Sequence, residues 1–128
     1  MLFVMQSAHK GGHMINIRVK VWFEKNGKLV FGKGRYDILN EIDKTHSINK
    51  AAENMDLSFR HVWSHIDTIE KNLGVALVHR ERGGKGGGSS SLTPQAKELM
   101  KEYHRLEKEI KEFAESRFKE LFKWKASK

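Results

Sequence analysis

Apolar residues recur with a helical period between positions 47 and 73. The first stripe consists of Ile48, Ala51, Ala52 and Met55. The second begins after the turn Asp56-Leu57 and Ser58, and consists of Phe59, Val62, Trp63, Ile66, Ile69 and Leu73. Spacings of three and four residues place each stripe on one face of a helix. Ser47 and Ser58 precede the stripes, where a serine oxygen can accept a hydrogen bond from an N–H group of the first turn. The pattern predicts two short helices joined by a tight turn.

A different period precedes these helices. From Ile15 to Phe23 the β-branched residues alternate with basic or larger side chains, which predicts a strand. Asn26-Gly27 follows, and this dipeptide favours a two-residue hairpin turn because both residues tolerate positive φ. Leu29–Phe31 is the predicted return strand, and a helix is predicted from Arg35 to about Asp43.

A second hairpin is predicted after the paired helices. Gly74 is a predicted left-handed helix end, and residues 75–79 and 89–92 are predicted strands around the glycine run at 83–88. Thr93-Pro94 then opens a last helix, with threonine as the cap and proline at the first helical position. No helix breaker follows before Lys125.

The last helix carries an apolar stripe with heptad spacing. Its members are Leu99, Tyr103, Leu106, Ile110 and Phe113. An exposed stripe of this kind would favour association, so we interpret the helix as a dimerisation helix.

Together these elements predict a mainly α fold with a small amount of β structure. It is a winged helix-turn-helix with an N-terminal β-hairpin and a long C-terminal dimerisation helix. Residues 1–14 are expected to be a disordered tail or to precede the true translation start. Residues 15–92 form the predicted DNA-binding domain, and residues 93–125 form the dimerisation helix.

Composition narrows the possible functions. The net charge is +8 and the pI is about 9.8, which favours an anionic partner. Basic and acidic residues are almost balanced between positions 45 and 92, so a basic surface there depends on how the charges face. The chain has no cysteine, which excludes disulfides and thiolate chemistry. Apolar runs are too short for a membrane helix, and we expect a cytoplasmic protein.

The outward face of the second helix supplies most candidate DNA contacts. A recognition helix of about residues 58–73 would enter the major groove, while the wing at 80–91 would meet the backbone. The candidate DNA-binding residues are Ser47, Ser58, Arg60, His61, Ser64, His65, Arg80, Arg82 and Lys85. Trp63 is expected in the core rather than as a stacking platform. His61 and His65 are spaced as two metal ligands could be, but without a third we predict neither a metal nor another cofactor.

Several segments together resemble a known family. They are Ser47-Ile48-x-x-Ala51-Ala52, Leu57-Ser58-Phe59-Arg60-x-Val62-Trp63, Leu77-Val78-x-Arg80, the glycine run and Leu92-Thr93. These are similar to the N-terminal DNA-binding domain of ModE-type molybdate-responsive regulators, a winged helix-turn-helix related to that of LysR-type regulators. The resemblance implies a homodimeric transcription regulator that binds double-stranded DNA through residues 58–65. The family's C-terminal oxyanion-binding domains have no place after the last helix, so we expect no molybdate-binding domain in this chain.

Two alternatives to a sequence-specific regulator remain open. The same fold and charge would serve a non-specific architectural DNA-binding protein. The near-neutral charge of residues 45–92 is compatible with a protein–protein interaction module built on a winged helix. An enzyme is not expected, because no arrangement of nucleophile, base or paired carboxylates has catalytic spacing.

Overall fold

The computed structural model describes residues 15–81 and 88–123. Two short hairpins and four helices follow one another in these ranges. They are β1 (Phe23–Lys25), β2 (Lys28–Phe31), α1 (Lys33–Thr45), α2 (Ile48–Asn54), α3 (Phe59–Leu73), β3 (Val78–Glu81), β4 (Ser89–Leu92) and α4 (Pro94–Leu121). This order confirms the predicted fold class, a mainly α winged helix-turn-helix. The expected N-terminal tail, most of the glycine run and the end of the dimerisation helix beyond residue 123 lie outside the described residues.

The described chain divides into two compact units. Residues 21–104 form one unit, and residues 15–20 and 105–123 belong to the other. The first unit holds the hydrophobic core, to which α1, α2, α3, both hairpins and the start of α4 contribute. Its most deeply buried large side chains are Tyr103, Phe31, Leu39, Ile42, Ile66, Ile69, Leu77 and Val62.

The first hairpin forms around the predicted turn. Asn26 and Gly27 have φ values of 53° and 77°, as the Asn-Gly signal requires. The predicted strand at 15–23 is wrong over most of its length, because residues 15–22 have no regular secondary structure and β1 begins at Phe23. The partner strand β2 has only four residues and ends at Phe31, so it can pair with only a short segment.

The helix caps follow the sequence closely. Ser47 Oγ accepts a hydrogen bond from the Lys50 N–H at 3.0 Å, and Ser58 Oγ accepts one from the His61 N–H at 3.0 Å. Gly74 ends α3 in the left-handed conformation, with φ 71°, and Thr93 Oγ1 accepts from the Ala96 N–H. Each of the three Ser and Thr N-caps is worth about 1 kcal/mol, so these helix starts are strongly specified. Only α1 differs, because it begins before Arg35 and extends to Thr45.

The first wing strand lies further along the chain than predicted. The expected strand at 75–79 is replaced by β3 at Val78–Glu81. Glu70 explains the shift, because its Oε2 accepts hydrogen bonds from the Leu77 N–H at 2.8 Å and, more weakly, from the Val78 N–H at 3.4 Å. The backbone at 77 is therefore held by α3, and strand pairing starts one residue later, where Val78 lies opposite Leu92.

Three predictions about side-chain burial are wrong. Phe59 and Leu73 were expected on the inner stripe of α3, but they are 45% and 40% exposed, because they lie at the two ends of the helix. Tyr103 was expected in a dimer interface, but it is only 2% exposed within the single chain. Its ring packs on Phe23 and Phe31, and its hydroxyl donates a 2.8 Å hydrogen bond to the Val21 carbonyl.

Among the described residues, no helix is long and apolar enough to cross a membrane.

Candidate nucleic-acid interface

The N-terminal half of α3 presents an open face. Arg60, His61 and Ser64 are exposed, and Phe59 beside them is nearly half exposed. The first turn of α3 contains no acidic residue. Arginine, histidine and serine side chains all donate hydrogen bonds, and the positive end of the helix dipole lies at this same end. The face is therefore suited to an anionic or acceptor-rich partner.

Helix α2 fixes the position of this face. Ala51 and Ala52 are buried at 0% and 3% exposure, and their small side chains let α3 cross α2 closely. The turn between the helices passes through Asp56, with φ 60°, and the Leu57 N–H donates to the Ala52 carbonyl at 2.8 Å. The result is the compact helix–turn–helix unit that the sequence predicts.

The wing contacts one edge of the open face. The Arg80 guanidinium group lies 4.5 Å from the centre of the Trp63 ring, a cation–π arrangement. Arg80 is on β3, opposite Ser90 on β4, so this contact joins the base of the wing to α3. Trp63 was expected in the core, but it is only half-buried and packs against the core from its edge. Its ring also supports a charged side chain.

An open cleft of about 440 Å³ lies between the start of α2, the start of α3 and the wing. Its polar walls come from Ser47, Asn49, Arg80, Glu81, Ser89 and Ser90. Two of the predicted contact residues, Ser47 and Arg80, are brought together here although they are distant in the sequence. Arg80 and Glu81 carry opposite charges, so the cleft is polar rather than uniformly basic.

A second arginine meets the opposite edge of the open face. Arg35 Nε donates a 3.0 Å hydrogen bond to His65 Nδ1. The same guanidinium group donates through Nη1 to the carbonyl oxygens of Leu29 and Val30, at 3.0 and 2.8 Å. His65 also lies beside His61, with ring centres 4.6 Å apart.

These contacts change the protonation of His65. Partial burial lowers its pKa below the ordinary value, and the positive charge of Arg35 and the neighbouring His61 lower the pKa further. Burial also lowers the pKa of Arg35, although an arginine remains charged at neutral pH. The neutral form of His65 is therefore favoured at pH 7, where the ring is in contact with a permanent cation.

The candidate contacts predicted from the sequence thus have different environments. Arg60, His61, Ser64 and Arg80 are exposed, whereas His65 is half-buried and hydrogen-bonded, and the Ser47 and Ser58 hydroxyl oxygens cap their helices. Arg82 and Lys85 lie outside the described residues. Within residues 15–81 and 88–123, no group of three potential ligands could hold a metal ion.

The sequence analysis did not identify Arg35 as part of this region. Arg35 lies 30 residues before His65, and no periodicity links the two positions. Its only local signal is its place in the first turn of a helix that follows a hairpin.

The sequence is similar to those of known regulatory proteins. The family of bacterial regulatory helix-turn-helix proteins of the LysR type matches residues 35–97, a range that contains most of α1, all of α2 and α3, and the wing. The transcriptional regulator ModE of Haemophilus influenzae is 33% identical over 95 residues, which are 74% of this chain and 37% of that protein. The molybdenum transport protein ModE of Herbaspirillum seropedicae is 35% identical over 78 residues, covering 61% of this chain and 29% of that protein. The chain therefore spans about a third of the length of these relatives.

Among solved structures, Vibrio fischeri DarR in complex with DNA is similar, with a TM-score of 0.48 and 21% sequence identity. The similarity covers 73% of this chain and 30% of that one.

Proposed function

We propose that the chain is a sequence-specific DNA-binding transcription regulator, because residues 35–97 match the family of LysR-type bacterial regulatory helix-turn-helix proteins. One observation carries the proposal most directly. The exposed N-terminal face of α3 has donor side chains and no acidic residue in its first turn, and an arginine lies along each of its two edges. Such a face is suited to the major groove of double-stranded DNA.

Three side chains of α3 are the proposed readers of base edges. Arg60 is long enough to reach the acceptors of a guanine, and His61 and Ser64 follow it on the exposed face. Their exposure leaves them available for contact at no cost to the core. Because the readers lie within two turns of helix, their contacts would fall on a few adjacent base pairs.

The wing and the start of α2 are the proposed backbone contacts. Arg80 lines the cleft beside Ser47 and Ser89, where a phosphate could meet both a guanidinium group and hydroxyl groups. Ser58, which caps the start of α3 as Ser47 caps α2, is a further proposed backbone contact. Arg82 and Lys85 remain predicted phosphate contacts from the sequence alone. Contacts of this kind set affinity and register rather than specificity.

We also propose that the regulator is a homodimer joined through α4. On the part of α4 beyond residue 104, Leu106 and Phe113 are 40% and 68% exposed, and Ile110 lies between them at heptad spacing. Leu121 and Phe122 add further exposed apolar surface. A second copy of the same helix would cover this stripe, and a two-fold dimer would favour a palindromic site.

The proposed activity is binding in the cytoplasm, with no catalytic step. The similarity covers only 37% and 29% of the two ModE relatives, so the proposal rests on the DNA-binding domain alone.

The proposal can be tested by selecting bound fragments from a library of the source genome. The intact protein is compared with a variant carrying Arg60→Ala, His61→Ala and Ser64→Ala, and with a Lys33→Ala variant as a control for lost charge. Enrichment of a palindromic site that the triple variant loses and the control keeps would support the regulator. Equal retention of all DNA would favour an architectural protein, and no retention at low salt would favour a protein–protein module.

A further inference from the structure

Arg35, on α1, forms hydrogen bonds both to β2 and to α3, the proposed recognition helix. It lies in the first turn of α1, and its Nη1 donates to the backbone carbonyl oxygens of Leu29 and Val30 on β2. Its Nε donates to Nδ1 of His65 on α3. The two bonds from Nη1 to β2 help to orient the guanidinium group, so the hairpin contributes to the direction in which Nε points.

This contact has a defined chemical consequence for the histidine ring. A guanidinium group has donors and no acceptor, so Nδ1 must accept and cannot carry a proton. A neutral imidazole has one N–H group, which is therefore at Nε2. The lowered pKa of His65, caused by its burial, Arg35 and His61, keeps the ring in this neutral form.

The location of His65 gives this chemistry a use. His65 is one turn after His61 on α3, and the two rings are 4.6 Å apart, while His61 itself is exposed. His65 therefore lies at the border between the open face and the hairpin side of α3.

We propose that Arg35 is a positioning residue for DNA recognition, which holds His65 in one orientation and one tautomer so that the recognition helix offers only a donor at this position. The inference rests on the proposed DNA-binding function. A donor at Nε2 pairs with N7 or O6 of guanine, N7 of adenine, O4 of thymine or a phosphate oxygen. It does not pair with the amino group of cytosine.

The first test is spectroscopic and needs no DNA. Long-range ¹⁵N–¹H correlation spectra of the full chain at pH 7.5 distinguish a proton on Nε2 from one on Nδ1. We expect His65 to be entirely the Nε2–H form in the intact protein and in Lys33→Ala, which removes a charge from the same turn of α1. In Arg35→Ala the ring should become a mixture of tautomers. An Nδ1–H signal in the intact protein, or an unchanged spectrum in Arg35→Ala, would overturn the proposal.

The second test uses a random duplex library and four proteins: the intact chain, His65→Ala, His65→Gln and Arg35→Ala. Glutamine keeps an acceptor for Arg35 and a donor for DNA, so His65→Gln should retain the intact preference. In His65→Ala and Arg35→Ala, the preference for one base over the others should weaken at the same base pair, by roughly tenfold in the ratio of affinities. If Arg35→Ala does not fold, the contrast between the glutamine and alanine variants still decides whether a donor is used.

The outcomes separate this inference from the proposed function. Relaxation in His65→Ala but not in folded Arg35→Ala would refute the positioning role. No relaxation in His65→Ala would refute the donor role. If the intact protein binds no DNA, the proposed function and the DNA role of Arg35 both fail. If the intact protein prefers one DNA sequence but His65 carries its proton on Nδ1, only the inference about Arg35 fails and the proposed function stands.

Discussion

The guanidinium group of Arg80 lies 4.5 Å from the centre of the Trp63 indole ring. Because Arg80 is on β3 and Trp63 is on α3, the contact joins the base of the wing to the middle of the helix. It holds one cation at the edge of the open face. We therefore expect the two residues to act together when the protein meets DNA.

Replacement of Arg80 by alanine should reduce the salt dependence of DNA binding. Each neutralised phosphate contributes about 0.9 to the slope of log affinity against log salt concentration, so the slope should fall by about that amount for each protomer bound. The measurement is a set of anisotropy titrations from low to moderate salt. An unchanged slope would show that Arg80 does not contact a phosphate.

Trp63→Leu should produce part of the same loss, because the aromatic face that supports Arg80 is removed. Trp63→Phe keeps an aromatic ring and serves as the matched control. In a double-mutant cycle with Arg80→Ala, we expect a coupling of about 0.5–1 kcal/mol, as for an exposed cation–π pair. Strict additivity would mean that the two residues contribute independently.

The stability of the protein should depend on the protonation of His65. Its pKa is lowered in the folded chain by burial, by Arg35 of α1 and by His61 of α3, while the β2 groups that complete this cluster are uncharged carbonyls. The unfolded chain therefore binds the proton more readily. The stabilising contribution is complete above the ordinary histidine pKa and is lost as the pH falls through the lower, folded-state pKa.

This pH dependence can be isolated with His65→Gln, which retains an acceptor for Arg35 and does not titrate. Free energies of unfolding are measured by denaturant titration between pH 7.5 and 5. The difference between the intact protein and the variant should shift in favour of the variant as the pH falls. A constant difference across this range would contradict the assigned environment of His65.

The hydroxyl group of Tyr103 should contribute measurably to stability. Tyr103→Phe removes the hydrogen bond to the Val21 carbonyl while keeping the ring packed on Phe23 and Phe31. We expect a loss of about 1 kcal/mol in the free energy of unfolding. Tyr36→Phe removes the same atom from a half-buried ring and is the comparison. An equal or larger loss in Tyr36→Phe would argue against the role of the Tyr103 bond.

Phe113 tests the proposed dimer without disturbing the core of the chain. It is 68% exposed, so Phe113→Glu should leave the folded protomer intact while placing a charge in an apolar seam. We expect the intact protein to sediment as a dimer and the variant as a monomer. Lys111→Glu, on the other side of α4, should remain dimeric. A monomeric intact protein would remove the homodimer from the proposal.

Features that depend on neighbouring residues were predictable from the sequence, and contacts between distant residues were not. The Ser47 and Ser58 caps, the Asn26-Gly27 turn and the Gly74 helix end all depend on residues within a few positions of one another. Heptad spacing placed Tyr103 in a dimer stripe because the pattern could not reveal a partner 82 residues away at Val21. Glu70 shifted the wing strand, and Arg35 reached His65, through contacts that no period encodes.

The candidate site followed the same division. The open face of α3 was predictable because it is the complement of one apolar stripe, and Arg60, His61 and Ser64 are exposed as that stripe requires. The support given to Arg80 by Trp63 was not predictable, because it depends on where the wing folds back onto α3. The contact between Arg35 and His65 was not predictable either, because it depends on where α1 packs against α3.

The central claim is that the chain distinguishes one DNA sequence from others. Its most direct test is the ratio of dissociation constants for a selected duplex and for the same duplex with scrambled sequence, at about physiological salt. A sequence-specific regulator should bind the selected duplex at least about a thousandfold more tightly, and Arg60→Ala should lower that ratio more than it lowers the affinity for the scrambled duplex. A ratio near one, with Arg60→Ala weakening both duplexes alike, would contradict the claim.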